Sequence, residues 1–172
     1  MVLIVCGLEA VARMAAARAP SHMITLINPE TPVDTPKGVA DERHLRLGIN
    51  DIVEPMEGMI APDEGCVRRI LEFGRTWDER APMLIHCWAG ISRSTAAAFV
   101  LACERSPEAD ELSIARVMRR AAPHAYPNRR IVALADDLLG RSGRMVDAVD
   151  AIGDNGFVSS GVPFDFAVRH GR

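Results

Sequence analysis

The sequence predicts an α/β fold, a central, mostly parallel sheet of four or five strands flanked by helices. Three observations predict it. Short, apolar, β-branched runs alternate with segments of helical period through the first half of the chain. Helical patterns dominate the second half. The 172 residues, 48% hydrophobic and 25% charged, suit one domain that buries a core without staples. That composition excludes a disordered chain, a collagen-like fibre and a disulfide scaffold.

Residues 2–6 are an apolar run that reads as a buried strand ended by Gly7. Leu8, Val11, Ala12 and Ala15 recur at helical spacing, and Pro20 closes that element. Residues 23–27 read as a second strand, closed by Asn28 and Pro29. Residues 30–41, with Pro32, Pro36 and Gly38, read as an exposed loop, and 43–49 alternate as a third strand. Another loop fills 50–62. Asp63 then caps a helix that runs to about residue 79 with Val67, Ile70, Leu71 and Trp77 inward. Residues 82–86 read as a central strand, and helices are expected over 92–105, 109–121, 128–139 and 141–152. Residues 1–152 thus form a single domain. Residues 153–172 hold four glycines, two serines and Phe157, Phe164 and Phe166, and read as a tail that drapes over the domain or is partly disordered.

Net charge is -3, and all but one of the 20 basic residues are Arg, the exception being Lys37, so no nucleic-acid partner is indicated. The N-terminal apolar run lacks the positive region that precedes a secretory signal's core, and no run approaches a membrane span. A cytoplasmic protein with no membrane partner is expected. Neither the four cysteines nor His22, His44, His124 and His170 show metal-ligand spacing, so no metal and no cofactor is expected. Cys66 and Cys103 read as core.

The segment that carries chemistry is His86, Cys87, Trp88, Ala89, Gly90, Ile91, Ser92, Arg93 and Ser94. A cysteine follows a buried strand and precedes a helix. The backbone N–H groups of Trp88, Ala89, Gly90, Ile91, Ser92 and Arg93 can curl around one centre, with Gly90 allowing the tight turn. The helix N-terminus adds its positive end, and Arg93 adds a planar fork matched to two phosphate oxygens. This is a phosphate-binding loop between a central strand and the following helix. Such a field favours thiolate over thiol, and a thiolate beneath a phosphate is placed for in-line attack on phosphorus.

These residues resemble the H-C-x-x-G-x-x-R-[ST] signature of cysteine-dependent protein tyrosine phosphatases, and the wording from Ala89 to Ser94 resembles the dual-specificity branch in its bacterial form. Five fixed positions match by chance on the order of once in ten thousand such chains. The resemblance implies that Cys87 is the nucleophile of a phosphocysteine intermediate and that Arg93 binds phosphate and stabilises the transition state. It implies that Ser94 hydrogen-bonds the sulfur and that His86 supports the loop. It implies an acid upstream, for which Asp51, Asp63 and Asp34 compete. Asp51 is preferred because it follows a strand's C-terminal end, whereas Asp63 has an N-cap to fill. Thr25 to Asn28 resembles the family's second strand, and Pro127-Asn128 the segment whose Asn braces the loop. Trp88 either lines the pocket or packs under it; Arg129 and Arg130 read as a solvated helix start.

The expected function is hydrolysis of a phosphorylated protein or a small phosphomonoester, with Asp51 serving as acid and then as base. Trp88 and Ile91 stand where phosphoinositide-directed relatives carry Lys, which argues against highly phosphorylated inositols. Two rivals remain: a phosphate-binding module without turnover, and arsenate-reductase-like thiol chemistry with Cys6 as the resolving thiol or disulfide partner of Cys87. The oligomeric state is not legible.

Overall fold

The computed structural model describes residues 1–154, 156 and 158–171. Phe157, one of the three tail phenylalanines, lies outside the described residues. Five strands, β1 (Val2–Gly7), β2 (His22–Ile27), β3 (His44–Gly48), β4 (Met83–Cys87) and β5 (Phe164–Ala167), form one sheet in the order β3-β2-β4-β1-β5. The first four run parallel and β5 pairs antiparallel with β1. The register sets Gly7 beside Cys87 and Thr25 beside His86, which brings the C-terminal strand ends together at one edge of the sheet.

Alternation along each strand divides the core into two layers. Leu3, Val5, Ile24, Leu26, Met83, Ile85 and Cys87 belong to the larger layer, and Ile4, Cys6, Met23 and Leu84 to the smaller. Helix α1 (Val11–Arg18) covers the smaller layer, joined by Val33 and Val39 from the irregular stretch before β3. The larger layer carries α2 (Glu64–Thr76), α3 (Arg93–Arg105), α4 (Glu111–Ala121), α5 (Arg129–Leu139) and α6 (Arg144–Ala151). Helix α3 is buried on every side from Arg93 to Cys103. A helix enclosed by sheet and helices needs small or apolar side chains all round, which the Ser94-Thr95-Ala96-Ala97-Ala98 run supplies.

The predicted elements are present, with differences at their ends. The first helix opens as a 3₁₀ turn, Leu8–Ala10, and ends where Ala19 takes a left-handed φ of 44° ahead of Pro20. The helix expected to reach residue 79 stops at Thr76, because Trp77 turns extended and its Nε1 donates to the Ala81 carbonyl at 2.8 Å. The last helix begins only at Arg144. Ser142 and Gly143 take positive φ before it, and the buried Asp136 carboxylate accepts from Gly143 N at 2.6 Å and Met145 N at 2.8 Å. That contact joins positions distant by a helix turn and a bend, so local pattern does not reveal it.

The sequence predicts no strand in residues 153–172, yet β5 lies there. Its four residues are too few to show a period beside glycine and proline. Phe166 enters the larger core layer, while Asp165 points out to accept from both Arg18 Nη atoms at 2.8 and 2.9 Å. No described helix is long and apolar enough to cross a membrane. Because Phe166 is buried to 1% exposure, Phe166→Ala is expected to lower stability by about 3–5 kcal/mol in urea unfolding. A loss below about 1 kcal/mol would contradict the docking of β5 on the core.

Candidate active site

Cys87 ends β4, the chain turns at Gly90 with φ 73°, and α3 begins at Arg93. The turn lies against the end of β1: a Cβ on Gly90 would stand 2.6 Å from Gly7 N and 2.7 Å from Cys6 C. A Cβ on Gly7 would stand 3.1 Å from the Trp88 oxygen. Two bare α-carbons therefore permit the close approach. The loop's carbonyls are then tied outward. Trp88 O accepts from Leu8 N at 3.0 Å, Ala89 O from Gly161 N at 2.8 Å, Ile91 O from Tyr126 N at 2.8 Å and Ser92 O from Asn128 N at 3.2 Å. In a trans peptide the N–H points opposite to the C=O, so the amides of Ala89, Gly90, Ser92 and Arg93 turn inward. Gly90 N indeed donates to Cys87 Sγ at 3.3 Å. The Ser94 hydroxyl lies 3.2 Å from the same sulfur.

Arg93 is buried, and its guanidinium is aimed by two acceptors. Nη1 donates to Ile49 O at 2.6 Å and to Asn28 Oδ1 at 3.0 Å. Its Nε is buried and donates to no described atom, and it lies 3.8 Å from Asp51 Oδ2. A buried N–H of a cation left in this way is suited to an anionic ligand. Asp51 Oδ1 accepts from Ser92 Oγ at 2.7 Å and from Asn128 Nδ2 at 2.8 Å, which leaves Oδ2 as the less engaged oxygen. The loop that carries Asp51 is closed at its neck by Asn50, whose N donates to Ile60 O and whose Oδ1 accepts from Ile60 N, each at 2.8 Å. Cys87, Arg93, Asp51, Asn28 and Trp88 line one cleft of about 490 Å³.

Behind the loop, on the smaller-layer side of the sheet, lies a buried polar chain. His86 Nδ1 faces the Cys87 carbonyl at 3.2 Å, which requires the proton on Nδ1 and makes Nε2 an acceptor. The Thr25 hydroxyl, 2.7 Å away, therefore donates to His86 Nε2 and accepts from His44 Nε2, also at 2.7 Å. His44 Nδ1 continues to Thr35 Oγ1 at 3.1 Å, and Thr35 contacts Asp41 and Arg46 at the surface. Burial lowers both rings to about 4; Arg93 opposes protonation of His86, and Arg46 opposes that of His44.

Among the sequence-predicted residues, His86, Cys87, Arg93, Ser94 and Asp51 meet at this cleft or directly behind it. Asn128 caps α5, accepting from Arg130 N and Ile131 N, while it braces both Ser92 and Asp51. Asp63 instead caps α2, its Oδ1 accepting from Cys66 N at 2.7 Å, and Asp34 is exposed in the loop before β3. Trp88 stands at the cleft's rim, 57% exposed. Arg129 pairs with Asp150, and Arg130 donates to the carbonyls of Pro62 and Val53. Cys6 faces the layer opposite to Cys87, and burial pushes its thiol up to about 12. Cys66 and Cys103 are buried, and their thiols are likewise raised by burial. Among the described residues, no group of three or more His, Cys, Asp or Glu could hold a metal ion.

Sequence reasoning missed Gly7, Gly161, Asn50, Thr25 and His44, and gave Asn28 no contact. The legible signal was polar side chains within otherwise apolar strand runs. Their partners depend on strand register, which one sequence does not display.

The chain matches no protein-family model and no curated protein. It does match solved structures. DUSP15 superposes with a TM-score of 0.63 at 16% identity, over 91% of this chain and 92% of that one. Human DUSP28 gives 0.58 at 16% identity, over 89% and 100%. PTPMT1, another structure of which is a complex with PI(5)P, gives 0.57 at 15% identity, over 87% and 94%. The chain thus has the fold of the dual-specificity-phosphatase-like cysteine phosphatases.

The buried histidine chain predicts acid sensitivity. Both rings are neutral when folded, whereas the unfolded chain binds their protons below about 6.5. Their contribution is constant above that pH, falls as pH drops from about 6.5 to about 4, and levels off below. Thermal midpoints should decline across that window, and a flat profile would contradict the assignment. Thr25→Val leaves two buried ring nitrogens unpaired and should cost about 2 kcal/mol or more in urea unfolding.

Proposed function

We propose that the protein is a phosphate monoester hydrolase, a protein-tyrosine or dual-specificity phosphatase, that works through a phosphocysteine on Cys87. The observation that carries this reading is the convergence of Cys87 Sγ, the buried Arg93 guanidinium and Asp51 on one cleft floored by inward amides. In the first step the Cys87 thiolate forms an S–P bond as the P–O bond to the leaving group breaks. The inward amides and Arg93 meet the charge that spreads over the phosphoryl oxygens. Asp51 gives its proton to the leaving oxygen from Oδ2, since Oδ1 holds the Ser92 and Asn128 donors.

In the second step water attacks phosphorus, Asp51 takes the proton, and the S–P bond breaks with the pair returning to sulfur. The Ser94 hydroxyl, 3.2 Å from Sγ, stabilises the departing thiolate. His86 acts through the backbone, fixing the Cys87 carbonyl and so the loop's direction. A cytoplasmic setting suits this chemistry because it keeps Cys87 reduced. Cys6 is a poor resolving thiol, since it faces the other layer and burial disfavours its thiolate.

The substrate reading is a phosphorylated protein or a small phosphomonoester. Among the described residues that line the cleft, Arg93 is the sole basic side chain, and Trp88 and Ile91 are apolar. That lining suits one phosphate on an organic stem and offers no second cation for a further phosphate.

With p-nitrophenyl phosphate and no added metal, wild type should turn over with a bell-shaped pH profile favouring mildly acidic pH. Cys87→Ser should abolish turnover yet retain phosphate binding, and measurable turnover would sink the nucleophile assignment. Asp51→Asn should lower kcat by about 100-fold or more with little change in KM. An unchanged kcat would remove Asp51 from proton transfer.

A further inference from the structure

The cleft that holds Cys87 continues past Asp51. Asp51, Ile52 and Ser92 form a wall shared with a second, larger groove of about 740 Å³. A ligand whose phosphate sits over Cys87 therefore meets this groove with the atoms next to its ester.

Two properties of the groove define what fits. Val53 and Met56, from the loop after β3, and Tyr126, before α5, line it and are 49%, 55% and 52% exposed. Large apolar side chains exposed together beside a reactive cleft mark a binding surface. The charge of the lining is acidic: Glu54, Asp150 and Asp154 join Asp51. Arg129 is the one cation among the described lining residues, and it is engaged by Asp150, Nε to Oδ1 at 3.0 Å and Nη2 to Oδ2 at 3.0 Å. Glu54 and Asp154 are exposed and face no such arginine in the lining.

We infer that this groove is a substrate subsite for a lysine or arginine side chain near the phosphorylated residue of a singly phosphorylated polypeptide, a reading that rests on the hydrolase function proposed above. A long cationic side chain matches both properties at once. Its aliphatic stem covers Val53, Met56 and Tyr126, and its charged head reaches Glu54 and Asp154. A second phosphate, or an anionic headgroup surface, would bring negative charge against the same carboxylates with no free cation to meet it. The subsite thus selects by attraction for one neighbour and by repulsion of another.

The test is a series of phosphotyrosyl peptides that differ only in carrying Lys, Ala or Glu at successive positions beside the phosphotyrosine. Each rate is divided by the same enzyme's rate on p-nitrophenyl phosphate. Lys at one neighbouring position should raise kcat/KM about fivefold over Ala, Glu should lower it, and high salt should erase the difference. The preference should collapse in the Glu54→Gln, Asp154→Asn double variant. A wild-type enzyme that hydrolyses p-nitrophenyl phosphate but shows no Lys preference overturns the subsite. A preference undiminished in the double variant overturns it as well, as does faster hydrolysis of a phosphoinositide in anionic vesicles than of the Lys peptide. Absence of p-nitrophenyl phosphate turnover overturns the hydrolase reading and this one with it.

Discussion

The contact between Gly90 and the Cys6–Gly7 peptide sets the geometry of everything at the cleft. No side chain fits there, since a Cβ on Gly90 would sit 2.6 Å from Gly7 N. The turn can therefore lie flat on the end of β1. From that position its carbonyls reach Leu8, Gly161, Tyr126 and Asn128, four donors supplied by three separate parts of the chain. Outward carbonyls compel inward amides, so the ring of inward N–H groups follows from the packing of peptides rather than from any charged side chain. The order of causes runs from two glycines, to a close approach, to a set of outward hydrogen bonds, to a cradle around one sulfur.

Charged groups refine what the backbone begins. Arg93 is oriented by a carbonyl and an amide oxygen, at Ile49 and Asn28, instead of by a carboxylate in tight contact. The Asp51 carboxylate stands off at 3.8 Å from the Arg93 Nε, and both Nη1 hydrogen bonds go to neutral oxygens. Asp51 is held by Ser92 and Asn128 on one oxygen, and Asn50 fixes the loop on which it rides. Below the loop, neutral His86 and His44 share the Thr25 hydroxyl, so an uncharged hydrogen-bonded chain supports the backbone at Cys87. A neutral support spares the interior an ion while keeping the direction of each bond fixed.

Much of this was legible in the sequence, and for identifiable reasons. The strands at residues 2–6, 23–27 and 82–86 declared themselves because continuous apolar runs are what a buried parallel sheet requires. Cys87, Gly90, Arg93 and Ser94 were legible because a strand, a tight turn and a helix N-terminus lie consecutively, so local chemistry carries the meaning. Asp51 and Asn128 were reached through position and resemblance. The pairs that hold them together were hidden. Gly7 against Gly90, Thr25 between His86 and His44, and Asn28 on Arg93 all join distant segments across strand register. The edge strand β5 was hidden for another reason: its four residues gain their order from β1 and the core beneath Phe166, not from a period of their own.

The central claim is that phosphate passes through a covalent bond to the sulfur at the centre of this cradle. The most direct measurement is rapid acid quenching during turnover of a phosphotyrosyl peptide, followed by mass spectrometry of the proteolytic fragment that contains Cys87. The account predicts a phosphoryl group on Cys87 that builds up within one turnover, is absent from Cys87→Ser, and persists longer in Asp51→Asn, where the attacking water lacks its base. Turnover that proceeds with no phosphoryl group on Cys87, or with the group on another residue, would contradict it.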